Sequence, residues 1–325
     1  MNTVDPLKSS DNILTALQQS YDSGWLSKDD FIAKSNLFHQ SLWTYRTHLS
    51  QSEVKEIILN EHGIQFLMGE EQVRLWVPEG ESRVAPLEVL NFGAYEPQET
   101  RVMNVLAAGA RCILDVGANI GYNAIRLAIR EPQACVHAFE PLPLTMEYLQ
   151  RNVALNSLGE RIRVYTHGHL NANGSFEFFI APEHGVNANL MNVADRPNAR
   201  RIVSTTLTLD EWIHNHSLCP DYIEVDVEGA ELLVLQGGKE AISQYQPKIF
   251  AELLRKWSAP FGYHPNDVLS FMADLGYGCW GVGAHGVQRI LEVTEQTVET
   301  NYAFLHHELH AITIELLLAA THNIS

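Results

Sequence analysis

The 325-residue sequence has few cysteines and lacks both a long apolar run and a secretory signal. Its four cysteines are widely separated and show neither a C-x-x-C pair nor zinc-ligand spacing, so most are interpreted as reduced core residues: Cys112, Cys135, Cys219 and Cys279. The longest apolar stretch, residues 311–320, contains Glu315 and has about half of the roughly 20 residues that a membrane span needs. The N-terminus has no basic patch before an apolar run, so we expect a cytoplasmic protein with no membrane partner.

Basic residues are also scarce. The chain has 22 Lys and Arg against 39 Asp and Glu, which gives a net charge of −17. Affinity for nucleic-acid backbones comes mainly from Lys and Arg, and no basic run is present, so nucleic acid is not expected as a partner. The composition, 46% apolar and 19% charged, is typical of a soluble globular protein.

Residues 111–140 read as a strand, a glycine turn, a helix and a second strand that ends on a carboxylate. The turn contains Gly117 and Gly121, and the second strand closes on Glu140. Glycines let the backbone approach a ligand at a helix N-terminus, and a carboxylate in this place can accept two hydrogen bonds from ribose hydroxyls. The pattern predicts a nucleotide-like ligand. The alternatives are a plain tight turn and a solvated helix-capping acid.

The spacing of the turn excludes two nucleotide sites. A dinucleotide fingerprint starting at Gly117 would need glycine at Asn119 and glycine or alanine at Tyr122. A phosphate-binding loop would need Lys followed by Ser or Thr after the second glycine, but Tyr122 and Asn123 follow Gly121. A G-x-x-x-G turn with a ribose-binding acid remains.

These features resemble the AdoMet site of the Rossmann-like class I methyltransferases. Residues 221–238 contain the block Asp226-Val-Glu228-Gly229-Ala-Glu231, which is similar to the D-V-E-G-A-E block of the FkbM-type methyltransferases. Further blocks match in the order of that family and together cover about residues 92–306: Tyr95-Glu96-Pro97-Gln98-Glu99-Thr100, Asp115-Val-Gly-Ala-Asn-Ile-Gly121, Phe139-Glu140-Pro141, Thr208-Leu209-Asp210 and Glu252.

The resemblance implies an AdoMet-dependent methyltransferase. Its acceptor would be a hydroxyl of a sugar or other secondary metabolite, a small molecule that is either free or carrier-bound. Two rival functions stay open, a nucleotide-dependent oxidoreductase and a non-catalytic AdoMet-binding scaffold. A homodimer is also left open.

The expected fold is α/β, a doubly wound, seven-stranded, mostly parallel sheet with a helical N-terminal extension. We predict an accessory segment of helices and a hairpin at 1–91, the methyltransferase domain at 92–306 and a tail at 307–325. The strands are expected at 112–116, 135–139, 162–165, 222–226, 248–253, 277–282 and 302–305. Helices are expected at 121–130, 143–157, 229–245 and 265–275, and an added strand pair at 175–180 and 201–207.

The accessory segment is predicted to be helical over residues 1–60. Ser10 or Asp11 would cap a first helix, and Ser27 would cap a second. The second helix carries apolar residues that we interpret as a core-facing stripe: Phe31, Leu37, Leu42 and Trp43. Residues 64–68 and 72–77 read as a hairpin capping the main sheet.

The carboxyl ends of the first, second and fourth strands of an open parallel sheet should converge on one crevice. Gly117 and Gly121 would line the cofactor there, and Glu140 would bind its ribose. The resemblance implies that Asp115, with Asn119, orients the methionine amino group. The other predicted cofactor contacts are Glu99, Ala118, Pro141, His169 and Asp226.

One departure from the family concerns the adenine. The family usually has an A-L-S-D-like segment after the third strand, whereas this chain reads Gly168-His169-Leu170-Asn171. His169 or Asn171 could substitute for that segment. The alternative is that both are ordinary surface-loop residues.

Three acids recur along the fourth strand. Alternation places Glu224, Asp226 and Glu228 about 7 Å apart on one face of a strand that should be apolar on both faces. Such crowding should raise at least one pKa. Asp226 or Glu228 could be a general base, or Asp226, Glu228 and Glu252 could bind a divalent metal; we favour the metal-free version. A purely structural alternative pairs Glu224 with a basic side chain and makes Glu228 a helix cap.

The loop between the added strands supplies further candidates. His184 is a candidate general base, because the ordinary pKa of histidine lies near neutral. Asn187 and Asn189 are candidates for positioning the acceptor. The run of histidines at 306–310 does not have the H-E-x-x-H spacing, which excludes a metalloprotease.

Overall fold

The computed structural model describes residues 12–180, 188–189, 200–284 and 286–321. The chain begins with two helices, α1 (Ile13–Asp22) and α2 (Lys28–Leu49). Ser27 caps α2 as predicted, because its hydroxyl accepts the Asp30 N–H at 3.1 Å. Asn12 caps α1 by accepting the Thr15 N–H at 3.1 Å. The predicted caps Ser10 and Asp11 lie outside the described residues.

The predicted core-facing stripe of α2 is wrong. Leu37, Leu42 and Trp43 are 66%, 56% and 69% exposed, and Ser35 is the buried residue of this helix. Helix α2 has 22 residues and α1 only 10, so α1 is less than half as long, about 15 Å against about 33 Å. Large apolar residues occur on more than one face of α2, and most of its length lies against no other element that the structure describes.

The segment after α2 is a small antiparallel sheet, where residues up to 60 were expected to be helical. Its strands, in the order β1-β2-β3, are β1 (Val54–Asn60), β2 (Gly63–Met68) and β3 (Val73–Val77). The predicted hairpin corresponds to β2 and β3. The Asn152 side chain accepts the Trp76 N–H at 2.7 Å and that of Asn156 accepts the Arg74 N–H at 3.0 Å, which fastens β3 to a helix of the main domain.

The following elements carry the main domain up to its third parallel strand: α3 (Ala85–Phe92), α4 (Pro97–Ala107), β4 (Cys112–Val116), α5 (Tyr122–Arg130), β5 (Cys135–Phe139), α6 (Pro143–Leu155) and β6 (Ile162–Tyr165). An inserted segment comes next: β7 (Gly168–His169), β8 (Gly174–Ile180), β9 (Ala188–Asn189) and β10 (Arg200–Leu207).

The chain then completes the main sheet and its covering helices: α7 (Leu209–His216), β11 (Tyr222–Val225), α8 (Glu231–Gly237), α9 (Lys239–Tyr245), β12 (Lys248–Glu252), α10 (Arg255–Ser258), α11 (Pro265–Asp274), β13 (Tyr277–Gly283), β14 (Gly286–Ile290), β15 (Asn301–His306) and α12 (Ala311–Thr321). The single predicted helix at 229–245 is two helices, α8 and α9, which meet at the poorly helix-forming pair Gly237 and Gly238.

The main sheet has the order β14-β13-β15-β12-β11-β4-β5-β6. Strands β6, β5, β4, β11 and β12 run parallel, and β15 lies antiparallel between β12 and β13. This arrangement confirms the predicted doubly wound, mostly parallel α/β sheet, and all seven predicted strands are part of it. The sheet has an eighth strand, β14, that the sequence did not indicate. It is a short, partly exposed strand at the edge of the sheet.

The inserted segment forms a second sheet in the order β7-β10-β8-β9. The predicted strand pair is confirmed as β8 and β10, which pair antiparallel. Asn189 lies on β9, opposite Phe179. His184 and Asn187 lie outside the described residues.

Two apolar clusters cover the two faces of the main sheet. Neighbouring residues of β4 alternate between them, with Ile113 in one cluster and Leu114 in the other. The four cysteines are free thiols. In the described parts of the chain, no helix combines the length and apolar character that crossing a membrane would require. The predicted domain boundaries at residues 91 and 306 stay predictions.

Candidate active site

The turn after β4 is held between the ends of two neighbouring strands. Gly117 has φ +102°, and a Cβ atom at this position would lie 1.7 Å from the main-chain oxygen of Asp226, which follows β11. The N–H groups of Gly117 and Ala118 both donate to the Phe139 carbonyl at 3.0 Å, at the end of β5. The turn therefore joins the carboxyl ends of β5, β4 and β11. Gly121 ends the turn as the residue before α5.

Glu140 is bound to this turn through its carboxylate. One oxygen accepts the Asn119 N–H at 3.1 Å and the other accepts the Leu142 N–H at 2.9 Å. The side chain is buried, and burial raises the pKa of Glu140 to about 8, although both hydrogen bonds oppose the shift. Each carboxylate oxygen has two lone-pair sites, so each can accept one more hydrogen bond.

Asp115 and Glu224 form a buried pair of acids. They are register partners on the parallel strands β4 and β11, so their side chains are neighbours on one face. No described N–H or O–H group donates to Asp115 with normal geometry, and Glu224 can donate only when protonated. Burial raises the pKa of both groups, and the Asp115 charge raises that of Glu224 further. Both shifts favour the protonated form, and a protonated Glu224 could donate to the Asp115 carboxylate.

A second pair of acids lies one step further along. Asp226 and Glu252 stand next to each other where β11 and β12 end, and both are half-buried. Burial raises the pKa of both, and the Asp226 charge adds to the rise at Glu252. Glu96, half-buried at the start of α4, has a pKa raised to about 8 by burial and then by the Asp226 charge. The prediction that crowding raises at least one pKa on the β11 segment is confirmed.

The predicted alternation does not extend to Glu228, because β11 ends at Val225 and Glu228 has a left-handed backbone with φ +54°. Glu228 does not cap the next helix either. Glu231 accepts the Gly229 N–H at 2.9 Å and the Val227 N–H at 3.3 Å. The sequence reasoning missed Glu231; its only signal was membership of the matched block.

The structural alternative for Glu224 is not supported. In the described part of the chain, no ion pair includes Glu224, and its charged neighbours on the sheet are acids. The described residues also contain no group of three or more His, Cys, Asp or Glu side chains arranged to hold a metal ion. The alternative metal site at Asp226, Glu228 and Glu252 stays a prediction.

His169 lies inside an aromatic cluster. Its ring centroid is 4.4 Å from that of Phe139, and its Nδ1 lies 3.0 Å from the Leu207 carbonyl oxygen. With the proton on Nδ1, its Nε2 is an acceptor, buried and without a partner among the described residues. Burial lowers the pKa of His169 to about 3. Its contact with adenine stays a prediction, as does that of Asn171, which is exposed.

The cluster also contains His137, Tyr165, His167, Trp212 and His216. The sequence did not indicate these residues, because they come from separate segments (β5, β6, α7 and the segment after β6) that meet only in the folded protein. Two other predicted contacts border the site. Pro141 lies next to Gly168, where an added Cβ would be 3.7 Å from the Pro141 ring. Glu99 lies in the first turn of α4, and its charge contributes to the raised pKa of Glu96.

The site thus has the form of a crevice at the carboxyl ends of β5, β4, β11 and β12, where open α/β sheets bind ligands. The sheet order and this crevice define a Rossmann-like methyltransferase fold. The family model of the methyltransferase FkbM domain matches residues 115–279, half of the chain. The chain belongs to the FkbM methyltransferase family.

Two curated relatives are methyltransferases. Methyltransferase sdnD of Sordaria araneosa is 33% identical over 195 residues, which cover 51% of this chain and 73% of the relative. Methyltransferase 1 of Beauveria bassiana is 26% identical over 144 residues, covering 38% of this chain and 57% of the relative.

Solved structures are more distant. A methyltransferase FkbM from Methylobacillus flagellatus is 21% identical with a TM-score of 0.39, over 60% of this chain and 43% of that one. An O-methyltransferase from Bacillus cereus in complex with SAH is 16% identical with a TM-score of 0.38, over 65% and 82%. These TM-scores are too low to support an argument about the site.

Proposed function

We propose that the protein transfers a methyl group from AdoMet to a hydroxyl group of a sugar or other secondary metabolite, either free or carrier-bound, in the cytoplasm. The observation that carries the proposal is the Glu140 carboxylate, which is fixed by the amides of Asn119 and Leu142 beside the Gly117 turn. AdoMet as the methyl donor and a hydroxyl as the acceptor go beyond membership of the FkbM methyltransferase family.

The residues of the crevice fit AdoMet. The remaining acceptor sites of Glu140 suit the two ribose hydroxyls, which are hydrogen-bond donors. Asp115 is buried, and neither of its carboxylate oxygens has a hydrogen-bond partner of normal geometry among the described residues, so an ammonium group could supply strong donors to it. A proton held by Glu224, whose pKa is raised by burial and by the Asp115 charge, would leave the pair one negative charge to balance that ammonium. When bound, AdoMet supplies a methyl group on a positively charged sulfur.

Asp226 is the proposed general base. It is half-buried at the end of β11, and burial raises its pKa toward neutral, which strengthens it as a proton acceptor. The acceptor hydroxyl would lose its proton to the Asp226 carboxylate as its oxygen becomes a nucleophile. Glu252, which contacts Asp226, would keep the received proton within the pair. Glu228 and His184 are the alternative general bases. Alignment of the acceptor oxygen with the methyl group contributes more to the rate of methyl transfer than proton removal does.

The proposal is tested by incubating the protein with AdoMet labelled in its methyl group and a panel of sugars and hydroxylated natural products. We expect label in at least one hydroxyl product, identified by mass spectrometry as an ether. Label only on nitrogen would exclude the hydroxyl assignment, and no transfer to any acceptor would favour the scaffold. Parallel titrations with NAD(H) test the alternative that the protein is an oxidoreductase. Repeating the transfer assay in EDTA tests the metal alternative, because loss of activity would indicate a metal bound by the acids rather than a metal-free general base.

A further inference from the structure

Helix α2 carries an apolar stripe with the spacing of a coiled coil. Six residues follow one another at alternating intervals of four and three, and we call them the α2 stripe: Phe31, Ser35, Phe38, Leu42, Tyr45 and Leu49. Residues at this spacing lie on one face of a helix, as the a and d positions of a heptad do. A face of this kind packs against another helix.

Only the first half of the α2 stripe has a helix against it. Ser35 is buried, and the Phe31 ring stacks on Tyr21 of α1 with 5.0 Å between ring centroids. Helix α1 is too short to reach further. Leu49, at the other end of the stripe, packs against the main core.

The middle of the α2 stripe is unpaired. Residues 36–47 are all exposed, so three turns of helix lie against no other described element. Phe38, Leu42 and Tyr45, the neighbouring residues of the stripe in this stretch, are 40%, 56% and 47% exposed. Isolated exposed apolar residues are common on protein surfaces, but a continuous patch of this kind marks an interface.

The exposed apolar side chains of this segment limit the area that a dimer can bury. The large exposed apolar side chains of α1, α2 and their connection are Ile13, Leu14, Trp25, Ile32, Leu37, Phe38, Leu42, Trp43 and Tyr45. Together they present on the order of 1,000 Å², but they point in several directions, and Phe38, Leu42 and Tyr45 on the α2 stripe supply about 300 Å² of it, so a dimer through this stripe is smaller than the standard interface of about 800 Å² per partner.

Charge favours a second copy over a charged partner. Residues 12–49 contain three acidic residues (Asp22, Asp29, Asp30) and three basic ones (Lys28, Lys34, Arg46), so their net charge is zero, whereas the whole chain carries −17. Two copies that meet through this segment bring together the part of the chain with the least mutual repulsion. A strongly acidic or basic partner would find no complementary charge here.

We propose that the unpaired half of α2 packs antiparallel against the same segment of a second copy of this chain, giving a twofold dimer. In this arrangement Leu42 lies near the twofold axis and Phe38 faces Tyr45 of the other copy, so one patch is complementary to itself. The methyltransferase crevice, which is built on the main sheet, is not part of this interface.

Sedimentation velocity of the full chain tests the dimer. We expect the mass of two chains for the wild type and of one chain for the double variant Phe38→Glu with Leu42→Glu, because buried unpaired charges weaken association by ~100-fold or more. Ile312→Glu, at a 74% exposed position on α12, is the matched control and should stay dimeric. Circular dichroism should show that all three proteins are folded.

Disulfide trapping tests the pairing itself. In a Cys219→Ser background, which removes the exposed native thiol, Leu42→Cys should form a covalent dimer under mild oxidation. Thr44→Cys, exposed on the opposite face of the same helix, should not. A single-chain mass for the wild type, a dimer that survives the double variant, or equal cross-linking at positions 42 and 44 would each overturn the proposal.

Discussion

The main-chain oxygen of Asp226 lies 1.7 Å from the place where a Cβ atom at residue 117 would stand, so Gly117 packs directly on the backbone that follows β11. Two segments more than 100 residues apart in sequence meet at this point. The contact brings the turn with Gly117 to the half-buried pair Asp226 and Glu252, and so joins the proposed cofactor site to the proposed catalytic base.

Replacement of Gly117 by alanine should destabilise the protein. The added methyl group would overlap backbone atoms that cannot move independently, and the positive φ disfavours any L side chain. We expect a loss of about 2–4 kcal/mol in the free energy of unfolding, measured by urea denaturation. Gly159→Ala is the matched control, since an added Cβ there meets nothing within 4 Å, and it should change stability little. Equal stabilities for the two variants would contradict this packing.

Above about pH 6.5, stability without ligand should fall as the pH rises. Glu140 and Glu96 have pKa values raised to about 8, so the folded state keeps protons that the unfolded chain releases above its ordinary pKa of 4.5. Their stabilisation is complete below that value and is lost as the pH rises through about 8, with Glu140 contributing on the order of a few kcal/mol. Urea denaturation as a function of pH measures the slope.

The alkaline slope should be smaller in Glu140→Gln and unchanged in Glu160→Gln, which alters an exposed acid of the same domain. The slope is the readout because Glu140→Gln also lowers stability at every pH by disturbing two hydrogen bonds. A wild-type stability that stays constant between about pH 6.5 and pH 8, where the buried histidines are neutral in both the folded and the unfolded chain, would contradict the burial of these acids.

Stability should also fall on the acid side. Burial lowers the pKa of His169 to about 3 and that of His137 to about 4, so both are neutral in the folded state. The unfolded chain takes up these protons below about pH 6.5, and stability is lost as the pH falls toward the folded pKa values. His169→Asn, which keeps a donor for the Leu207 carbonyl, should reduce the loss of unfolding free energy as the pH falls below about 6.5. His62→Asn, at an exposed position, should leave it unchanged.

Replacement of Asp226 by asparagine should lower kcat by about 10²–10⁴-fold, the range typical of a lost general base. Affinity for AdoHcy should change less than about tenfold, because the charge removed acts on the acceptor hydroxyl. Glu228→Gln should have a smaller effect on kcat. A larger loss of kcat in Glu228→Gln than in Asp226→Asn would indicate that Glu228, not Asp226, is the general base.

The sequence was sufficient for the main sheet. Its strands are short apolar runs bounded by glycines or acids, as buried parallel strands are, and the turn from Gly117 to Gly121 with Glu140 follows from spacing alone. Periodicity also placed Phe31 and Leu42 on one face of α2. It could not show what covers that face, because this depends on the length of α1 and on a second chain.

Other features depend on tertiary contacts that no local pattern contains. The end of β11 at Val225 turns Glu228 out of the strand, and Glu231 then holds the turn. The aromatic cluster around His169 is assembled from four segments. Edge strand β14 is half-exposed and short, so its sequence shows neither a continuous apolar run nor a clean alternation.

Calorimetric titration of AdoHcy into the wild type and Glu140→Ala is the most direct test of the AdoMet site, with Glu160→Ala as the matched control. We expect one site per chain in the wild type and in Glu160→Ala, and binding at least about 100-fold weaker in Glu140→Ala, since the two hydrogen bonds that the Glu140 side chain accepts from the ribose hydroxyls are lost. No binding to the wild type, or equal affinity in wild type and Glu140→Ala, would contradict the account.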